Sequence, residues 1–380
     1  MSTARPGRAA PITRPRERGF IRFIRSWAAL AVVCSLSCVS TRLQPESLPE
    51  EPIAFLHWAD KAASKRADLF EKAAEAPPPP SDVEHSSELE LLEKRIYLSG
   101  EETPALSLKL SKYPGRLMLY WPRTGELERV AAAPVNARPL AWSADHKRLL
   151  FVSDHRDGKQ QLYEYHVERR DLSPITIGPA EHPEGDYSSG PSDDPTAAPR
   201  MVIHQLSRRG RDGPTRQSVY LAGPGGRLER TIAGGFYPGG LELTPDGSGI
   251  VYEKVEARPR SDGPTVYESW IATRGTEPGA EEQILIKGRE PTLTPDGEWI
   301  VFASESSAGY RLRRMRLDGT SRVPIGPGGS EERMPAVSPD GGFVAFIQVA
   351  GNKRRLAVRR YDGKQERVLL AEGWSEFPVW

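Results

Sequence analysis

Ser338-Pro339-Asp340-Gly341 is the stretch whose reading decides the fold. It recurs as Thr294-Pro295-Asp296-Gly297 and Thr244-Pro245-Asp246-Gly247, and in worn form as Ser143-Ala144-Asp145-His146. Composition makes each unit a type I turn: Ser or Thr suits the first position, Pro fixes φ at the second, and Gly closes the fourth. A short β-branched and aromatic run follows every copy, namely 343–346, 299–302, 249–252 and 148–151. Such runs mark buried strands.

The intact copies begin at residues 244, 294 and 338, and the worn one at 143. A further degenerate copy is expected near residue 193, where Ser192-Asp193-Asp194 precedes Met201-Val202-Ile203-His204. Periods of about 40–50 residues holding several short strands predict propeller blades. Within a period, third and fourth strands read as 310–317 with 323–325, and as 355–361 with 367–370. Gly turns at Asp318-Gly319 and Asp362-Gly363 divide them. Phe377-Pro378-Val379-Trp380 matches the segment before each turn, so the final strand needs partners to avoid an open edge. The expectation is an all-β, six-bladed propeller over residues 101–380, closed by pairing of this strand with N-terminal strands near 117–121 and 127–130. Five further blades are expected at about 137–178, 181–234, 236–288, 289–326 and 333–372.

The first 37 residues are unlike the rest. They hold seven arginines and one acid, then an apolar run from Trp27 to Val33 and the small residues before Cys38. This is the layout of an export signal, 1–37, and its apolar run is short for a bilayer span. The alternative is a basic arm with a short buried helix. Leu36-Ser37-Cys38 resembles a bacterial lipoprotein cleavage site with Cys38 as the lipidated residue, although such sites usually carry Leu where Ser35 stands. Cleavage after Ser37 without lipid is the other outcome. Cys34 and Cys38 are the two cysteines, so a domain beyond them needs no disulfide.

The leader also decides the charge argument. The chain has 52 basic and 51 acidic residues; without the leader the counts are 45 and 50, near −5. A nucleic-acid footprint is therefore not indicated.

Residues 38–100 read as a Pro-rich linker with a helix at about 52–75. Pro52 suits a first helical position, and Phe55, Trp58, Ala59, Ala62, Leu69, Phe70 and Ala73 share helical spacing. Pro77-Pro78-Pro79-Pro80 should be a stiff spacer, and Ser87 with Glu90 can cap a second helix at about 88–95. The first helix either docks on a partner protein or packs on the propeller's own side.

The Ser/Thr-Pro-Asp-Gly turn, the strand after it and the Asp-Gly turn some 20 residues later resemble the TolB-like β-propeller repeats, over about residues 104–380. The resemblance implies the fold. It leaves function open, because the same repeat occurs in periplasmic scaffolds, in the propellers of prolyl-oligopeptidase-type enzymes and in lipoproteins. The separate α/β domain that precedes the propeller in TolB has no counterpart in the 65 or so residues available here.

Asp246, Asp296 and Asp340 read as turn residues that bond nearby backbone N–H groups; the alternative is a ring of carboxylates for a cation, and no Asp-x-Asn-x-Asp-Gly loop supports it. The seven histidines show no metal spacing, and neither a Gly-x-Ser-x-Gly elbow nor a P-loop is present. No catalytic, cofactor-binding or metal residue is assigned. The Arg-rich strands at 311–316 and 353–360 read first as solvated outer strands, and alternatively as a basic surface for an acidic partner or anionic lipid headgroups. Polar insertions near 181–199 and 254–264 read as long loops. The expected function is a non-enzymatic protein–protein scaffold at the outer membrane, held by Cys38. A binder of cell-wall sugars or peptides and a propeller hydrolase or lyase are the alternatives. The last of these requires titratable groups converging in the channel.

Overall fold

In the computed structural model the described residues are 43–59, 61–66, 68, 114–188, 200–208, 215–235, 238–260, 263–307, 309–351 and 353–380. The expected leader, Cys38, the four-proline spacer, the helix at 88–95 and most of the 181–199 insertion lie outside them.

The repeated turn does what its composition requires. The fourth residue donates its N–H to the carbonyl of the first at 2.8 Å in all four copies, and Gly247, Gly297 and Gly341 there have φ of 71°, 70° and 69°. His146 holds the same place in the worn copy with φ 52°, which glycine adopts at less cost. Asp340 accepts from the Ser338 hydroxyl at 2.6 Å and the Gly342 N–H at 2.9 Å, and the Ser338 hydroxyl accepts from the Phe343 N–H at 2.9 Å. Asp246 does the same with Thr244 and Ser248, and those bonds hold its carboxyl below its usual range. Each turn thus locks the end of one strand to the start of the next.

Four sheets of four antiparallel strands follow from these turns. The first is β4 (Arg138–Trp142), β5 (Arg148–Ser153), β6 (Gln161–His166) and β7 (Asp171–Pro174). The second is β8 (Gly185–Tyr187), β9 (Met201–Arg208), β10 (Thr215–Ala222) and β11 (Leu228–Gly234). The third is β12 (Pro238–Leu243), β13 (Gly249–Arg260), β14 (Gly263–Gly275) and β15 (Glu282–Lys287). The fourth is β16 (Arg289–Leu293), β17 (Trp299–Ser306), β18 (Gly309–Arg316) and β19 (Val323–Pro324). The remaining strands form one sheet of eight: β20 (Glu331–Val337), β21 (Phe343–Ala350), β22 (Lys353–Arg360), β23 (Glu366–Leu370), β24 (Trp374–Val379), β1 (Ile53–Trp58), β2 (Arg116–Tyr120) and β3 (Leu127–Arg129). Four of the expected blades are thus separate sheets, and the others are joined.

The core lies between sheets. Ile300 and Phe302 of β17 pack with Val251 and Ile271 of the third sheet, while the intervening Val301 packs with Val344, Phe346 and Ala357 of the next. A strand flanked on both faces must be apolar at consecutive positions, which is why these runs do not alternate. Full burial of one such side chain contributes about 1.5–3 kcal/mol.

Three expectations are corrected. The helix at 52–75 does not begin at Pro52: residues 53–58 form β1, paired with β2 from Ile53↔Tyr120 to His57↔Arg116 and with β24 from Ala54↔Val379 to Trp58↔Trp374. The final strand therefore closes onto β1, and β1 in turn onto the expected 117–121 strand. α-Helix is confined, among described residues, to 61–66 and 68, and it packs on the ring. Ala63 joins Leu56, Trp58 and Trp374, and Arg66 lies over the Trp58 ring at 4.2 Å with Glu376 at 3.3 Å. Second, 254–260 and 263–264 are not loop but the arms of the β13–β14 hairpin, paired out to Arg260↔Gly263. Third, the Arg-rich strands are not uniformly solvated. Arg359 is 2% exposed and bonds Glu332 at 2.6 Å, the Ile325 carbonyl at 2.8 Å and Glu366; Arg354 is buried against Glu376 at 2.8 Å. These guanidiniums join neighbouring parts of the ring.

Candidate functional site

The innermost strands β4, β8, β12, β16, β20 and β24 converge on two adjoining cavities of about 160 and 130 Å³. Leu140, Glu242, Pro335, Pro378 and Val379 line both, so the two are sections of one channel that meet at the level of Glu242. The larger section opens at the end bearing the repeated turns, with Ala144, His146, Pro295 and Pro339 at its rim.

Two carboxylates face this section, Asp186 on β8 and Glu242 on β12. Each accepts the backbone N–H of the innermost strand that follows: Asp186 Oδ2 from Leu243 at 2.7 Å, and Glu242 Oε2 from Leu293 at 3.2 Å. Burial pushes the Glu242 carboxyl up to about 7, against the pull of Leu293 and the Thr292 hydroxyl. Burial, and then the charge of Glu242, raises Asp186 well above its usual range. Both groups therefore keep their protons to higher pH than exposed carboxyls would.

Thr292 holds the matching position on β16, and the other innermost strands are apolar there. Ala141, Ala336 and Val379 fill the corresponding positions, with Pro335 and Pro378 beside them. Trp142 and Trp380 border the mouth but are only 7% and 8% exposed. Their indole N–H groups donate to the Val379 carbonyl at 3.3 Å and the Glu51 carbonyl at 3.0 Å. His146 stacks on Trp142 at 5.6 Å, and burial lowers its basicity.

The opposite section is ringed by ion pairs: Arg138–Glu184 at 3.0 Å, Arg289–Glu253 at 3.3 Å and Arg333–Glu290 at 2.7 Å. Glu290 also accepts the Met334 N–H at 2.7 Å, and the two arginines around it hold its carboxyl low against burial. Each of these arginines thus has a compensating partner where desolvation would otherwise be costly.

The sequence-derived candidates are placed as follows. Asp246, Asp296 and Asp340 are occupied by their own turns. Cys38 is outside the described residues. Among the described residues no group of three or more His, Cys, Asp or Glu is placed to hold a metal. Asp186 and Glu242 escaped the sequence reading, since each sits singly between apolar neighbours, as any solvent-facing strand residue does. Glu242 lies two residues before the Thr244 turn, whereas Asp186 lies six before the expected degenerate copy at Ser192, so the repeat register did not align them.

No family model matches the sequence, and no curated protein matches it. Solved structures do. TolB from Acinetobacter baumannii is similar with a TM-score of 0.55 at 16% identity, over 92% of this chain and 70% of that one. A protein described as TolB from Agrobacterium tumefaciens gives 0.50 at 21%, over 66% of this chain and 87% of that one. Kuenenia stuttgartiensis hydrazine synthase gives 0.56 at 14%, over 87% of this chain and 46% of that one. At these identities the likeness concerns the fold, and the fold of this chain is the TolB-like β-propeller.

Proposed function

We propose that this chain is a non-enzymatic scaffold of the bacterial envelope whose ring presents its channel mouth to a partner protein. The eight-stranded sheet is read as two blades, β20–β23 and β24-β1-β2-β3, whose strands pair with each other only at the parallel Arg354↔Trp374. With the four separate sheets this gives six. The carrying observation is the channel: a concave site that combines apolar wall with polar groups fixed by their own bonds, the usual form of a binding pocket. The leader supports a periplasmic location, and Cys38 supports anchoring at the outer membrane.

A sugar-binding role has less behind it, because Trp142 and Trp380 are buried and offer little ring face to a ligand. An acid–base role has one specific observation, the convergence of Asp186 and Glu242 with raised pKa values. Their bonds to Leu243 and Leu293 already give both a structural task.

A photocrosslinking residue at exposed Ala144 on the mouth, compared with one at Ile177, which is 75% exposed beside β7, tests the reading in host cells. One discrete protein adduct from position 144 and none from 177 is expected, with loss of membrane association in Cys38→Ser. Absence of an adduct from 144, or equal adducts from both positions, would overturn it.

A further inference from the structure

Charge is spread unevenly around the ring. Residues 309–325, holding β18 and β19, carry five arginines and one acid; residues 353–370, holding β22 and β23, carry seven basic residues and two acids. The corresponding outer strands of the third sheet, 263–287, carry two basic residues and four acids. A strongly basic sector therefore stands on a chain that is acidic without its leader.

Arg354 and Arg359 spend their charge internally, on Glu376, Glu332 and Glu366. Arg311, Arg313, Arg314, Arg322, Arg355 and Arg367 all reach solvent, and among the described residues none of them has a carboxylate within 4 Å. Several are held in place without an anion. Arg314 lies over Tyr361 at 4.4 Å and Trp299 at 5.3 Å, and Arg322 donates to the Gly319 carbonyl at 2.9 Å and the Leu285 carbonyl at 3.0 Å. A guanidinium fixed by ring faces or carbonyls keeps other N–H edges available, and the entropy of ordering it is already spent.

We propose that this sector, the outer strands β18, β19, β22 and β23, is a contact surface for an anionic lipid bilayer. The charge is spread along two neighbouring groups of strands rather than gathered in a pocket, which suits a sheet of phosphates better than a single ligand. Val323, at 37%, is the one large aliphatic residue more than a third exposed in the sector. A stable protein interface is built around a buried apolar or aromatic centre, and this surface lacks its aliphatic part. The acidic third sheet gives the molecule a charge asymmetry that would orient it on such a membrane. The inference goes beyond the scaffold reading, and vesicle adsorption and partner crosslinking fail independently.

The test uses the compact unit Arg42–Trp380, which holds the twenty-four strands of the described residues, so that leader arginines do not contribute. Co-sedimentation is measured with phosphatidylcholine vesicles with and without phosphatidylglycerol, over a salt series. Binding should require phosphatidylglycerol and weaken with salt. The double variant Arg313→Glu/Arg355→Glu should lose at least about 25-fold, at about fivefold per charge. Arg216→Glu, an exposed position on β10, should lose less than twofold or so under the same rule. If the reversals do not fold, as judged by thermal melting, Arg313→Gln/Arg355→Gln takes their place. Equal binding by wild type and sector variant, binding indifferent to phosphatidylglycerol, or binding to polyglutamate and not to vesicles would each overturn the proposal.

Discussion

Replacing Glu242 by Gln removes a charge from the channel while leaving an oxygen for the Leu293 N–H, and it should stabilise the protein at alkaline pH. In the unfolded chain this carboxyl titrates near its ordinary 4.5; in the folded one burial holds the proton up to about 7. Between those values the folded state binds more protons than the unfolded state, so the contribution of Glu242 to stability falls as pH rises. At 1.36 kcal/mol per pH unit the full difference is about 3 kcal/mol, which water in the half-open channel reduces to about 2 kcal/mol. Asp186 adds in the same direction, because losing the Glu242 charge eases its own ionisation. Urea unfolding followed by tryptophan fluorescence, on wild type and Glu242→Gln across the pH range, reads the difference directly. The two should coincide below pH 4.5, and the variant should gain steadily up to about pH 7, ending about 2 kcal/mol ahead. Other titrating groups are common to both proteins and cancel. A difference independent of pH, or a variant less stable than wild type at alkaline pH, would refute the reasoning.

Glu332→Ala should cost about 3–5 kcal/mol, because Arg359 is left buried with one carboxylate fewer and the Leu312 N–H loses its 3.2 Å acceptor; a thermal shift within error of wild type would contradict this. His204 is fully buried, and burial, with His182 nearby, holds its pKa down to about 3; His182 itself is held to about 4. Protons then bind the unfolded state first, so this part of stability is lost as pH falls below 6.5. Whatever His204→Gln does to absolute stability, its acid limb should be shallower than that of wild type by up to about 1.4 kcal/mol per pH unit. An unchanged slope of unfolding free energy against pH would count against the buried neutral histidine.

The repeat was legible because a turn is a local object. Ser338, Pro339, Asp340 and Gly341 specify their geometry among themselves, and the strands at 299–302 and 343–346 follow at fixed distance. Ile53–Trp58 was misread for the complementary reason. A strand covered on both faces is a nearly continuous apolar run, and six residues of which five are apolar fit a helix as well as a strand. Its partners, β2 and β24, lie far along the chain, and no local pattern names them. The arginines of β22 show the same limit. Arg354, Arg355, Arg359 and Arg360 are one kind of residue in sequence, yet two are buried in ion pairs and two are not.

By itself, then, the sequence determined the repeating turn, the strands that follow it and the blade-like period, because each rests on contacts between near neighbours. Only the tertiary structure decided which strand closes the ring, which charges are spent inside it, and that Asp186 and Glu242 share a channel. Those two acids are 56 positions apart and come together because successive sheets curve about a common axis. That curvature is set by packing between sheets, a sum over distant contacts that no single stretch of the chain contains.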